Sequence, residues 1–187
     1  MKVNRACLAA LCGAVVAVAA DPYTSAQQKL DSLNQGTTKR GSVVEFSPTE
    51  VNAWARVAVP AAVPEGIRNP AVELGMDTAS GFALVNFLEM RHGRGKETGR
   101  LMAMMLSGER PLKVFVRLQS AAGRATVYLT RVELSGVALS GAPLDFVIQN
   151  FFRPLYPEAK IGEPFDLADN IERVELRTAA IRVTVKR

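Results

Sequence analysis

Cysteine is nearly missing from this chain. Of 187 residues only Cys7 and Cys12 are cysteine, and both fall in an apolar leader-like stretch, so the remainder has no disulfide to staple it and must be held by core burial. Histidine is just as scarce. With His92 alone, neither a Cys-His nucleophile pair nor a His-based metal cluster can be assembled. The carboxylates are scattered over strand faces and helix ends, with no pair spaced for acid-base work. The loop HGRGKETGR (92–100) lacks the spacing of a phosphate-binding loop, because Glu97 follows Lys96. There is no internal repeat or low-complexity tract, and no second apolar run follows the leader, so the sequence supplies no membrane span of bilayer length. An enzyme, a metal or a cofactor is therefore not expected.

The first twenty residues, MKVNRACLAALCGAVVAVAA, have a basic start, an uncharged apolar run and small residues before Asp21. That pattern reads as a secretory signal peptide cleaved near Ala19 or Ala20, with the mature chain periplasmic or secreted. Removing Lys2 and Arg5 from the 23 basic residues leaves 21 against 18 acidic ones, a net charge of +3. No basic cluster points to nucleic acid. The 167 remaining residues suffice for one domain, expected over 46–187 after a polar N-terminal segment at 21–45.

Within that segment SAQQKLDSLNQG reads as a short surface helix with Leu30 and Leu33 as its apolar markers, followed by a loop. Ser47, Pro48 and Glu50 then form a capping box, and Phe46 and Val51 a hydrophobic staple. A helix is expected over 48–58, burying Val51, Trp54, Ala55 and Ala58 and ending before Pro60. Beyond the prolines of the connector the chain is mostly strand. Val72, Leu74 and Met76 alternate, a turn is expected at Ala79-Ser80-Gly81, and Phe82, Leu84 and Leu88 share one face with Val85 and Phe87 on the other. Leu112, Val114, Val116 and Leu118 alternate with Lys113, Arg117 and Gln119, and Ala122-Gly123 turns them into a long hairpin. In its second arm the apolar set shifts parity, from Val127 and Leu129 to Val132 and Leu134, which predicts a bulge. Two closing strands place Val174, Leu176, Ile181, Val183 and Val185 on one side and leave Arg173, Glu175, Arg177, Arg182 and Lys186 to solvent.

Two further stretches carry the functional reading. A helix is expected over 143–153, with Pro143 and Asp145 in its first turn and Pro154 at its end. Leu144, Val147, Ile148, Phe151 and Leu155 form its apolar sector, with Phe152 at the edge and Phe146 projecting among polar residues. The run LMAMML (101–106) is apolar all round, and Met102, Met104 and Met105 suit either a core or an adaptable apolar lining. In the loop before it Arg91, Arg94, Lys96 and Arg100 carry charge that can meet anionic head groups at a membrane surface.

The order of these motifs, FSPTEVNAW, VPEGIRNPAVEL, VELSGVALSGAPLDFVIQNFF and PFDL with two strands after it, resembles short secreted bacterial proteins of the tubular lipid-binding type, relatives of the bactericidal permeability-increasing-protein fold. The resemblance spans about residues 42–187. It implies an α+β fold in which a strongly curved antiparallel sheet wraps a central helix, here 143–153, and an apolar groove that holds lipid without chemistry. By position the walls would be Phe82, Leu84, Leu88, Val147, Phe151 and Phe152, and the Met-rich run and Phe146 join them as ligand-contacting candidates. The expected partner is a lipid or other apolar molecule. The alternative is a cell-envelope structural or protein-interaction module with a closed core.

Overall fold

The computed structural model of the chain describes residues 21–62, 66–87, 89, 108–149 and 161–187. The leader lies outside these residues. The chain is α+β with antiparallel sheets. Helix α1 (Pro22–Asn34) opens on Pro22 behind Asp21, whose carboxylate accepts the Thr24 amide at 3.2 Å. It is not the surface helix expected. Ala26, Leu30 and Leu33 recur at i, i+4 and i+7, and Ala26 and Leu33 are 1% and 3% exposed, packed with Phe46, Val183 and Val185. The polar N-terminal segment is thus built into the core. The loop expected after α1 is present at Thr37 to Arg40, and strand β1 (Val43–Phe46), which the sequence reading does not anticipate, follows.

Helix α2 (Pro48–Ala62) has the capping box and staple its sequence announces. The Ser47 amide donates to Glu50 Oε2 at 2.8 Å, the Glu50 amide donates to Ser47 Oγ at 3.3 Å, and Val51 packs against the core cluster to which the buried Phe46 belongs. Two expectations fail. The helix runs through Pro60 to Ala62, because a proline so near the end strips a partner only from the Arg56 carbonyl, on an exposed residue where water replaces it. Trp54 is 36% exposed, whereas Ala55 is buried and Val51 packs against the core cluster that includes Ala26 and Leu33 of α1.

Strands β2 (Ile67–Leu74), β3 (Thr78–Val85), β4 (Arg110–Ala121), β5 (Arg124–Leu134) and β6 (Val137–Ala138) form the larger sheet in that order, and β7 (Pro164–Asp166) pairs with the far end of β5. The first turn is at Gly75–Asp77 rather than at Ala79–Gly81. The Gly75 amide donates to the Thr78 carbonyl at 2.9 Å and Asp77 takes φ 54°, leaving Ala79 to Gly81 paired inside β3. The parity shift in β5 is a bulge as expected: Phe115 pairs with Arg131 and Val116 with Leu129, so Thr130 is the extra residue.

Strand β9 (Ala180–Val185) pairs with β8 (Ile171–Arg177) on one side and with β1 on the other in a separate sheet, order β1-β9-β8. Their faces divide as expected, with Leu176, Val183 and Val185 buried. The single strongly curved sheet is not what forms: the larger sheet is not strongly curled, and the closing strands do not extend it. The reason lies at the outer edge of β8, whose groups take isolated partners instead of a ladder. Glu172 C=O accepts from the Gly123 amide at 2.7 Å, the Val174 amide donates to Ser120 Oγ at 3.0 Å, and Leu176 C=O accepts from the Asp77 amide at 3.0 Å. The expected 143–153 helix begins as α3 (Ala142–Val147), with Pro143 and Asp145 in its first turn, and is described as far as Gln149. A sheet wrapped around it is not seen among the described residues.

The other open edge, β2, is met by a side chain. Asn52 on α2 donates to the Val72 carbonyl and accepts from the Val72 amide, both at 2.8 Å, so its carboxamide replaces the next strand's peptide. Asn52→Ala is expected to cost about 1 to 3 kcal/mol, the range for leaving such groups unpaired. Urea denaturation measures it, and a loss below about 0.5 kcal/mol, the ordinary scatter of surface changes, would show the clasp adds nothing.

Candidate functional site

Residues directly opposed in an antiparallel ladder share a face, so the pairing fixes which side chains meet. One face of the larger sheet is aliphatic: Val72, Ala83, Val85, Leu112, Val114, Val116, Leu118, Leu129, Val132 and Leu134. Its deepest part is the pair Val85 and Phe87, 1% and 2% exposed, packed by Ile67, Ala83, Leu112 and Leu134. The opposite face carries Ala71 and Glu73 from β2, Thr78, Ser80, Phe82 and Leu84 from β3, Lys113, Phe115 and Arg117 from β4, and Arg131 and Glu133 from β5. Phe82, Leu84 and Phe115 are half-buried there.

This outward face holds two recesses that share Glu73, Ser80 and their strands. One, of about 270 Å³, lies between Ala71, Glu73, Phe82 and Lys113. The other, of about 320 Å³, is lined by Thr78, Ser80, Phe115 and Thr130, and Leu74, Ala79 and Val116 of the aliphatic parity also border it. Leu84, Phe82 and Phe115 run diagonally as an apolar path across it. Cations stand on the aromatics: Arg131 lies 6.0 Å from the Phe115 ring centre and Arg117 lies 5.5 Å from that of Tyr128. Arg131 is also paired with Glu133 at 2.5 Å, whereas Lys113 and Glu73 make no ion pair among the described residues. Ser80 Oγ donates to Glu73 at 3.2 Å. A third recess of about 480 Å³ sits at the tip of the β4–β5 hairpin, where Ala122, Glu172, Arg173 and Arg187 line it without an aromatic.

Of the residues expected at the groove, Phe82 and Leu84 are brought together on this face. Leu88, Met102, Met104, Met105, Phe151, Phe152 and the side chains of Phe146 and Val147 lie outside the described residues, as do Arg91, Arg94, Lys96 and Arg100. Sequence reasoning missed Phe115, Lys113 and Glu73. The signal was present in β4, where Phe115 is the aromatic that breaks into the polar parity Lys113, Arg117, Gln119.

A second polar cluster lies between α1 and α2. Glu50, 8% exposed, accepts from Lys29 Nζ at 2.6 Å and from the Ser25 hydroxyl, and Lys29 also donates to the Glu45 carbonyl at 2.8 Å. Burial alone would raise the Glu50 carboxyl, but the Lys29 ammonium, the Ser25 hydroxyl and the Ser47 amide and hydroxyl outweigh it and hold the group at about 2 instead of 4.5. Each partner is also a structural tie, so the cluster fastens the two helices. Among the described residues no group of three His, Cys, Asp or Glu side chains is placed to hold a metal, and no helix is long and apolar enough to cross a membrane. No family model, curated protein or solved structure matches the chain.

Proposed function

We propose that the chain binds a lipid or other apolar molecule without catalysis, on the outward face of the larger sheet. What supports this is the pair of adjoining recesses beside Phe82 and Phe115, of about 270 and 320 Å³, on a face where the apolar diagonal is left half-covered. A ligand laid along that diagonal removes aromatic surface from water at about 25 cal/mol per Å². The arrangement implied by the sequence resemblance, an apolar molecule between a sheet and the helix it wraps, belongs to the same proposal. The helix that opens at Ala142 follows β6 closely and is its candidate second wall. Export of the chain and peripheral contact with a membrane surface are also part of this reading.

The test is titration of the full chain with a fluorescent long-chain fatty acid, alongside Phe82→Ala and Phe115→Ala. Loss of about 100 Å² of contact corresponds to a drop in affinity of roughly tenfold or more, read beside the thermal midpoint of each variant, which should stay well above the titration temperature because both rings are only half-buried. Absence of saturable binding by the parent, or variants that bind as tightly as it does, would remove the sheet face as the site and favour the closed-core interaction module.

A further inference from the structure

The recess beside Phe82 has a charge of each sign on opposite walls. Glu73 on β2 and Lys113 on β4 are both exposed and stand two strands apart, with Ser80 and Phe82 of β3 between them. From strand spacing their backbones are on the order of 10 Å apart, and the two side chains do not meet in an ion pair. Nor does a neighbour quench either charge. Glu133, the cross-strand partner of Lys113, is engaged by Arg131 at 2.5 Å, and among the described residues Glu73 has only the Ser80 hydroxyl. A head group with a single negative charge would gain at Lys113 and lose at Glu73, and a single positive charge would do the reverse. A group carrying both gains at both walls while its chain follows Phe82 and Leu84.

Building on the lipid-binding reading above, we propose that the ligand's head group is zwitterionic, its cationic end at Glu73 and its anionic end at Lys113, across the Phe82 ring. The full chain is titrated calorimetrically with three single-chain lipids of identical acyl chain, bearing a phosphoethanolamine, a phosphoglycerol or an uncharged glycerol head, below the concentration at which they form micelles. The phosphoethanolamine lipid should bind about tenfold tighter than either of the others. Glu73→Lys and Lys113→Glu, both at exposed positions and each checked for an unchanged unfolding transition at the titration temperature, should each abolish that preference. The double exchange should restore it, because a zwitterion can lie in the opposite sense. If the uncharged lipid binds as tightly and the exchanges are silent, the head-group inference falls while lipid binding stands. If the phosphoglycerol lipid is preferred and Glu73→Lys strengthens it, the recess reads an anion alone and the inference is equally overturned. If none of the three binds, both readings fail together.

Discussion

Phe87→Ala should cost about 3 to 5 kcal/mol, the range for emptying a buried aromatic site. Phe87 is 2% exposed and, with Val85, anchors the cluster of Ile67, Ala83, Leu112 and Leu134 on the aliphatic side of the larger sheet. These neighbours come from four strands that are already tied by their ladders, so they cannot collapse into the space left behind. Since an ordinary domain is stable by about 5 to 15 kcal/mol, this one change removes a large share of the total. Phe82→Ala, five residues earlier on the other side of β3, should cost less than half as much because its ring is only half-buried. Urea midpoints compare the two. Equal losses would mean that Phe82 also packs in a core, and the outward face would then not be free to take a ligand.

Glu50→Gln should lower stability by about 3 kcal/mol at neutral pH and flatten the acid limb of the stability profile. The folded carboxyl sits near 2, below its ordinary 4.5, so the unfolded chain takes up a proton first as pH falls. The contribution is therefore complete above about pH 4.5 and disappears progressively toward pH 2, with each unit of difference equal to about 1.4 kcal/mol. The variant keeps a side chain that can serve the capping box but leaves the Lys29 ammonium facing an uncharged group. Thermal or urea unfolding of parent and variant between pH 7 and 2 should show curves far apart at neutral pH that converge in acid. Parallel curves would locate the acid sensitivity elsewhere.

What could be read from the sequence was what local patterns control. The capping box at Ser47 and Glu50, the hairpin turn at Ala122 and Gly123 and the bulge at Thr130 each follow from a few adjacent residues, and each is present. Pro60 misled because its cost depends on how close the helix end is, which the proline itself does not state. Helix α1 misled for a different reason. Its mean polarity is that of a surface helix, and only the spacing of Ala26, Leu30 and Leu33 records the narrow stripe that a core needs. The separation into two sheets depends on Ser120, Gly123 and Asp77 reaching β8, contacts between residues about 50 to 100 positions apart that no periodicity encodes. The same limit hid the candidate site: Phe82 was legible as an apolar residue of its strand, but Glu73 and Lys113 become its neighbours only through register.

The pairing of β1 with β9 fixes when the chain can finish folding. Phe46 shares a core with Val183, and Val43 pairs with Thr184, across well over a hundred intervening residues. Closing so long a loop carries an entropic cost on the order of 4 kcal/mol, met only once distant contacts form. During synthesis the β2–β5 meander can assemble from neighbouring strands as they emerge, whereas α1, α2 and β1 hold an unburied apolar stripe until residues 180–185 arrive. Refolding should therefore be slow for a chain of this size, its rate-limiting step the docking of the first and last described elements.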